Sequence, residues 1–193
     1  ATGKKAIYRR SFTATYYIYN IENRRMEPLS DNGAVQNPVW SNDGNLVAFV
    51  RNNNIFLVKL LYDNAESQVT KDGMAGSILN GGPDWCYDEE FSISSVYDFS
   101  ADSKMLAFVR FDCSGESRYT LPDFTYKVRD TEPEQQLLRN HDVWYPVAGA
   151  DYAKVSVHTF DIKSSVIRDI PVQSEPDTYI PRIAFVEDES NSL

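Results

Sequence analysis

Two adjacent glutamates, Glu89 and Glu90, are the clearest candidates for chemistry in this chain, because paired carboxylates can hold a cationic group. They lie near the end of an acidic and aromatic stretch, residues 80–91, that reads Asn-Gly-Gly-Pro-Asp-Trp-Cys-Tyr-Asp-Glu-Glu-Phe. The net charge of −9 fits a cationic ligand and argues against nucleic acid, whose phosphates require a basic surface. Most acidic runs are solvated turns, so composition alone leaves both interpretations open.

The acidic stretch lies between two copies of one repeat. The upstream copy, residues 40–51, reads Trp-Ser-Asn-Asp-Gly-Asn-Leu-Val-Ala-Phe-Val-Arg, and the downstream copy, residues 99–110, reads Phe-Ser-Ala-Asp-Ser-Lys-Met-Leu-Ala-Phe-Val-Arg. Each copy has a turn containing Asp and then a nearly continuous apolar run, which predicts a strand buried on both faces. Asn42-Asp43-Gly44 supplies the residues that a tight hairpin turn needs. A weaker third copy is expected to begin at residues 183–185.

Other segments alternate apolar and polar residues, as the paired strands of hairpins do. The predicted pairs are residues 15–19 with 26–29, 54–60 with 68–70, and 154–161 with 166–171. Units of four short antiparallel strands at this repeat length are typical of a β-propeller. We therefore predict an all-β fold, a partial β-propeller with about three blades' worth of four-stranded antiparallel sheets. A β-sandwich is the alternative, but it does not explain the recurring turn and strand.

Closed propellers have about 4–8 blades, so residues 1–193 are expected to be a fragment of a larger propeller domain. No apolar run approaches the roughly 20 residues that a membrane-spanning helix needs. Cys86 and Cys113 are too few for a disulfide-stabilised scaffold and do not form a Cys-x-x-Cys motif. Both thiols are therefore expected to be free.

The sequence lacks the motifs of a complete catalytic site. It contains no Gly-x-Ser-x-Gly nucleophile elbow, no Gly-rich phosphate loop and no clustered metal ligands, so neither a metal nor a cofactor is implied. His141 and His158 are the two residues that could act as a general base. The sequence suggests no Ser and Asp partner for either histidine, and we predict that both are structural or exposed.

Residues 84–90, Asp-Trp-Cys-Tyr-Asp-Glu-Glu, resemble the Asp-Trp-x-Tyr-Glu-Glu-Glu motif in the propeller domain of the dipeptidyl peptidase IV family. Further ordered matches lie at residues 9–16, 111–112, 145–149 and 179–183, so the similarity covers most of the chain. The chain departs from the family pattern at Asp88, where the family has a glutamate, and within residues 113–118.

In that family the two glutamates hold the free α-ammonium group of a peptide substrate, and the resemblance assigns this role to Glu89 and Glu90. It also assigns Arg9 as the arginine next to the substrate pocket. A guanidinium there would keep two mutually repelling carboxylates ionised. Asp84 is interpreted as the N-cap of a short helix through Glu89, so the double-Glu motif is expected on a helical insertion.

The resemblance implies a serine exopeptidase that releases dipeptides, with Pro or Ala second, from free amino termini. Its Ser-Asp-His triad would lie on an α/β-hydrolase domain absent from this chain, so the chain alone is expected to be inactive. The implied partners are the peptide substrate, that missing domain of the same polypeptide and a second copy in a homodimer. The alternatives are a tripeptidyl-releasing relative and a non-catalytic propeller that binds proteins. The bacterial-like sequences of the motifs and the absence of Asn-x-Ser/Thr sequons suggest a bacterial periplasmic or exported enzyme.

Overall fold

The computed structural model describes residues 1–123, 139–172 and 178–186. In these ranges the chain is almost entirely β-structure, with a short α-helix, α1 (Trp85–Glu89), and a 3-10 turn at Leu60–Tyr62. The strands are β1 (Thr2–Ala6), β2 (Phe12–Thr15), β3 (Tyr17–Asn20), β4 (Arg25–Pro28), β5 (Gln36–Trp40), β6 (Leu46–Arg51), β7 (Asn54–Lys59), β8 (Ala65–Gln68), β9 (Ile78–Asn80), β10 (Tyr97–Phe99), β11 (Met105–Asp112), β12 (Arg118–Asp123), β13 (Arg139–Trp144), β14 (Lys154–Asp161) and β15 (Val166–Ile170).

Two antiparallel sheets of the size of propeller blades form the centre of the described structure. The upstream blade has the strand order β5-β6-β7-β8, and the downstream blade has the order β10-β11-β14-β15, with β9 also paired to β11. The hairpins β1-β2 and β3-β4 precede the upstream blade, and the hairpin β12-β13 is inserted between β11 and β14. The predicted all-β, partial-propeller fold is confirmed, and the described strands do not close into a barrel.

The recurring sequence has a recurring hydrogen-bond pattern. In the upstream copy the Ser41 hydroxyl donates to Asp43 Oδ1 over 2.6 Å and accepts the backbone N–H of Leu46 over 2.9 Å. In the downstream copy the Ser100 hydroxyl makes the equivalent bond to Asp102 Oδ1 over 2.8 Å. Each aspartate therefore orients a serine that accepts the first N–H of the next strand, which explains why Ser and Asp recur at this spacing.

The apolar strands that follow these turns are buried on both faces, as predicted. Strand β6 is buried throughout Leu46–Val50, and β11 is buried in its central part. Side chains from both blades meet in one apolar core between the sheets. Its buried members are Leu46, Ala48, Val50, Ile55, Leu57, Val69, Tyr97, Phe99, Leu106, Phe108 and Phe160.

All three predicted hairpins are present, but the predicted strand at residues 15–19 is interrupted, and the strand predicted at residues 68–70 lies earlier in the chain, as β8 (Ala65–Gln68). Strand β2 ends at Thr15 and β3 begins at Tyr17, because the chain changes partners there from β1 to β4. Residues 183–185, the predicted start of the third repeat, form no strand, and the rest of that repeat lies outside the described residues. A strand needs a partner for its backbone groups, and Ile183 instead packs its side chain against the apolar cluster below α1.

We expect Asp43→Ala to lower the free energy of unfolding by about 1 kcal/mol, because it removes the bonds that orient the Ser41 hydroxyl. Hydrogen bonds from Ser41 and Asn45 hold the pKa of Asp43 below its ordinary value. The stabilisation is therefore present at neutral pH and is lost as the pH falls through that lowered pKa. Urea denaturation at neutral and acidic pH measures both effects.

The matched control is Asp31→Ala, which removes an exposed aspartate with no side-chain hydrogen bond among the described residues. Equal losses for Asp43→Ala and Asp31→Ala at neutral pH would contradict the role of Asp43 in the turn.

Candidate functional site

The stretch that carries the two glutamates is an insertion in the downstream blade, and its two ends are adjacent to each other. Strands β9 and β10 pair with consecutive parts of the same edge of β11, so both ends of the intervening insertion, residues 82–95, lie side by side. At this junction Gly81 N donates to Val109 O over 3.0 Å, Val109 N to Val96 O over 2.9 Å, and Val96 N to Gly81 O over 3.0 Å. These three bonds hold the base of the insertion against the sheet.

Gly81 meets two requirements at this junction that other residues do not meet. Its φ is +71°, a conformation that residues with a side chain rarely adopt. A Cβ atom placed on it would lie 2.8 Å from Cδ1 of Tyr97. The glycine therefore permits both the turn and the close approach of the insertion to β10.

Helix α1 is anchored at its start and through its centre. Oδ1 of Asp84 accepts the backbone N–H of Tyr87 over 2.9 Å, which confirms Asp84 as the N-cap. The Tyr87 ring is buried edge-to-face against Phe111, with ring centroids 4.8 Å apart. Its hydroxyl accepts the Ile180 N–H over 2.7 Å, and burial raises the pKa of Tyr87 to about 12. Tyr87 is thus a packing residue that fixes the helix to the sheet.

Glu89 is held by the predicted arginine. Its Oε1 accepts the backbone N–H of Arg9 over 2.9 Å, and its Oε2 lies 3.0 Å from the Arg9 Nε. The Glu89 side chain is 13% exposed, whereas that of Arg9 is 71% exposed. The carboxylate therefore has a fixed orientation even though its partner is mostly in solvent.

Glu90 follows the last residue of the helix and differs from Glu89 in its surroundings. It is exposed, and its backbone N–H donates to Cys86 O over 2.9 Å. Its carboxylate has no hydrogen-bond partner among the residues that the structure describes. The expectation that Arg9 contacts both glutamates is therefore met only for Glu89.

Arg10, the neighbour of Arg9, joins the turn between β1 and β2 to the end of α1. Its guanidinium donates to the carbonyl oxygens of Asp88 and Glu89 over 2.8 and 3.4 Å. Its backbone N–H donates to Oδ1 of Asp88 over 3.2 Å. A cation at the carboxyl end of a helix is favoured because the last carbonyls lack partners within the helix. Arg10 and the fully buried Asp88 thus anchor the carboxyl-terminal end of the helix, and we call this set of contacts the clasp.

The prediction that His158 lacks a Ser and an Asp partner is wrong. Its Nε2 lies 2.8 Å from the Ser156 hydroxyl and its Nδ1 lies 2.8 Å from Oδ1 of Asp169. These residues meet because His158 and Asp169 are directly opposed on β14 and β15. The Asp169 side chain is 87% exposed and the imidazole stacks on Phe108. We assign the three residues a structural role in joining the outer strands of the downstream blade.

Both cysteines are free, as predicted. Cys113 is buried and Cys86 is half-buried, and burial raises the pKa of the Cys86 thiol to about 11. A thiol with a raised pKa is a poor nucleophile at neutral pH. Trp85 packs edge-to-face on Tyr145 with ring centroids 4.5 Å apart, so it too contributes to packing.

Across the described ranges there is no group of three His, Cys, Asp or Glu side chains that could hold a metal ion. No helix there is long and apolar enough to cross a membrane.

Fold and site together define a partial β-propeller with an acidic helical insertion between two of its strands. Residues 1–193 match the family described as the dipeptidyl peptidase IV (DPP IV) N-terminal region. The chain belongs to this family, which confirms the resemblance read from its motifs.

Individual relatives agree with this assignment. The probable dipeptidyl-aminopeptidase B of Podospora anserina is 36% identical over 169 residues, which are 84% of this chain and 18% of that protein. The dipeptidyl peptidase 4 of Trichophyton equinum is 32% identical over 200 residues, which cover 100% of this chain and 25% of that protein. The crystal structure of Porphyromonas gingivalis dipeptidyl peptidase 4 matches with a TM-score of 0.86 and 38% identity, over 95% of this chain and 25% of that one.

The chain thus spans a quarter or less of the length of these curated relatives. They are fungal, whereas the matching solved structure is bacterial, so the expected bacterial origin is not supported by the relatives.

We expect Gly81→Ala to destabilise the protein by about 2 kcal/mol or more, because it adds a steric clash to the cost of a positive φ. Gly44→Ala is the matched control, since Gly44 has a φ of +72° and no atom lies within 4 Å of the position that a Cβ would occupy there. Urea denaturation of both variants measures the difference. Equal losses would contradict the close approach at the base of the insertion.

We expect Arg10→Ala to speed amide hydrogen exchange across α1, because the last carbonyls of the helix lose their donor. Arg9→Ala is the comparison variant, since it removes an exposed ion pair but keeps the backbone bond to Glu89. Exchange measured by mass spectrometry on a peptide spanning residues 85–91 tests this. Faster exchange in Arg9→Ala than in Arg10→Ala would contradict the clasp.

Proposed function

We propose that this chain binds the free amino terminus of a peptide for a serine exopeptidase that releases dipeptides with Pro or Ala in second position. One observation carries the proposal: Glu89 is oriented by Arg9, while the adjacent Glu90 has an exposed carboxylate with no partner among the described residues. The oriented carboxylate of Glu89 and the exposed carboxylate of Glu90 together form an acidic site that can still bind a cationic ligand.

The α-ammonium of a peptide suits this site chemically. It offers three donors and a full positive charge, and charge-assisted hydrogen bonds to carboxylates are stronger than neutral ones. Both oxygens of the exposed Glu90 carboxylate can accept hydrogen bonds from the ammonium group. The Glu89 carboxylate also has lone pairs that are not used in its contacts with Arg9. The Arg9 guanidinium next to Glu89 offsets part of the electrostatic repulsion between the two adjacent glutamates before substrate arrives.

The two adjacent carboxylates would select for a free amino terminus. A peptide with an acetylated terminus would shield the carboxylates from water without neutralising them, and unpaired charges are costly in such a position. The tether would also fix how many residues fit between the bound amino terminus and the nucleophile, and therefore the length of the product.

The nucleophile belongs, in this proposal, to an α/β-hydrolase domain of the same polypeptide, with residues 1–193 as part of its N-terminal propeller domain. The chain covers a quarter or less of relatives whose names describe dipeptidyl peptidases, which supports such a larger protein. The propeller would limit entry to narrow, unfolded peptides. An exported location and a homodimer are further elements of the proposal.

The two alternatives make different predictions for the full-length protein. A tripeptidyl-releasing relative would place the tether farther from the nucleophile, and the length of the released product separates it from a dipeptidyl peptidase. A non-catalytic propeller would release no product at all. The names of the relatives favour release of dipeptides.

We expect Glu89→Ala or Glu90→Ala to lower the kcat/KM of the full-length protein for Gly-Pro-p-nitroanilide by at least about 100-fold, or roughly 2.7 kcal/mol. The physical reason is the loss of a charge-assisted bond to the substrate ammonium. Glu22→Ala removes an exposed glutamate in the turn between β3 and β4 and is the control.

The same variants should then be compared on a free and an acetylated peptide of one sequence. Wild-type protein should cleave only the free form. Near-normal turnover in both glutamate variants, or cleavage of the acetylated peptide by wild type, would refute the tether. A folded wild-type protein that cleaves neither peptide would favour the binding propeller.

A further inference from the structure

A second acidic pair, Asp84 and Glu116, lies at the start of α1. Asp84 is the N-cap of the helix, and Glu116 lies on the turn that follows β11. The backbone N–H of Glu116 donates to Cys113 O over 3.0 Å, and Cys113 N donates to Ser77 O over 2.6 Å, which fixes this turn to the chain before β9. The Glu116 carboxyl lies close to the Asp84 carboxyl and to the backbone N–H of Ala153, and both groups act on its pKa. Its Oε1 is buried with no hydrogen-bond partner among the described residues.

Among the residues that the structure describes, the groups that act on Glu116 or lie beside its turn include no Lys, Arg or His. These groups belong to four parts of the chain: the turn between β1 and β2, the start of α1, the end of β11 and the loop before β14. In that loop, Asp151 lies against Gly115. The titratable groups among them are Tyr8, Asp84, Cys86, Cys113 and Asp151. None of these side chains can carry a positive charge, so they do not favour the ionised form of Glu116.

Burial, followed by the charge of Asp84, raises the pKa of Glu116 to about 7. Burial also raises the pKa of Asp84, an effect opposed by the hydrogen bond from Tyr87 N. The contact between the two carboxyls lowers the pKa of Asp84 and raises the pKa of Glu116, so the shared proton is assigned to Glu116, which donates it to Asp84. The buried oxygen of Glu116 without a donor agrees with a neutral carboxyl group, since a buried ionised oxygen would require one.

Asp84 connects this pair to the glutamates. It caps a helix of five residues, Trp85–Glu89, which has no further turns to absorb a disturbance at its start. Tyr8 faces the same pair from the turn that also carries Arg9. Repulsion between Asp84 and an ionised Glu116 therefore acts on both parts of the site, the helix with Glu89 and Glu90 and the turn with Arg9.

We propose that Glu116 is a positioning residue whose proton, shared with Asp84, holds the helix start so that Glu89 and Glu90 can bind the peptide amino terminus. This inference rests on the proposed function of the two glutamates. Loss of the proton weakens amino-terminus binding without removing a group from the site itself.

The test is the pH dependence of KM and kcat for full-length wild type and Glu116→Gln, with Gly-Pro-p-nitroanilide as substrate. The glutamine amide keeps a donor for Asp84 but does not titrate. We expect the ratio of wild-type KM to Glu116→Gln KM to rise about three-fold or more between about pH 6 and pH 8, with the kcat ratio nearly constant. Deprotonation of the substrate amine affects both proteins equally and cancels in this ratio.

Glu22→Gln, a distant and exposed change of the same chemical type, is the control and should follow wild type at every pH. A constant KM ratio for Glu116→Gln across this range would overturn the proposal, whether KM is unchanged or uniformly raised. A uniform rise would show that Glu116 acts only in packing.

A second measurement is independent of catalysis. The folded-state pKa of Glu116 lies near 7, above its ordinary value of 4.5, so the folded protein binds more protons than the unfolded chain between these values. The contribution of Glu116 to stability is therefore fully present below about pH 4.5 and is lost as the pH rises through about 7. We expect the melting temperature of wild type to fall relative to that of Glu116→Gln over this range, and a parallel course would overturn the shared proton.

Glu89→Ala, measured alongside, separates the two proposals. If Glu89→Ala leaves KM unchanged, the amino-terminus tether itself is wrong. If Glu89→Ala raises KM while Glu116→Gln follows wild type at every pH, the tether stands and only the positioning role of Glu116 is refuted.

Discussion

The helix that carries the glutamates is far too short to be stable alone, and the geometry of the site depends on how it is anchored. Isolated helices shorter than about 12–15 residues are marginal in water, whereas α1 spans only Trp85–Glu89. Asp84 satisfies a backbone donor at its start, Tyr87 buries its centre against the sheet, and Arg10 binds carbonyls at its end. Tertiary contacts thus replace the cooperativity that a longer helix would have.

Three consecutive acidic residues at the end of this helix have three different environments, which divides their roles. Asp88 is fully buried and accepts the Arg10 N–H, Glu89 is mostly buried and accepts two donors from Arg9, and Glu90 is exposed. Burial decreases stepwise along the chain, and the last of the three, Glu90, is exposed to solvent. The aspartate in place of the family's first glutamate belongs to the clasp, which agrees with a structural role at that position.

The sequence was sufficient for features that depend on local chemistry. The Ser-x-Asp turns at Ser41 and Ser100 and the N-cap at Asp84 each involve partners within five residues along the chain, and the apolar runs after the turns were sufficient to predict buried strands. The family motif added Arg9, although the structure shows it on Glu89 alone. Assignment of the tether itself remains a prediction.

Features that depend on distant partners could not be read in the same way. Arg10 meets Asp88 across 78 residues, and no local pattern distinguishes its role from that of Arg9. Asp169 meets His158 only through the register of β14 and β15, which the sequence does not specify. The segment 183–185 has the composition of a strand, but no described strand lies beside it, and Ile183 packs below α1 instead.

The position of the site on an insertion, rather than on a blade, follows from the hydrogen-bonding requirements of a sheet. Strand residues have their backbone groups committed to neighbours and alternate between faces, so two adjacent strand residues cannot both point at one ligand. An insertion is free of this alternation but ordinarily lacks rigidity. The junction of Gly81, Val96 and Val109 fixes both ends of residues 82–95 to β11. The insertion thereby acquires the rigidity of the blade while Glu89 and Glu90 remain adjacent, and a tether that sets product length needs both properties.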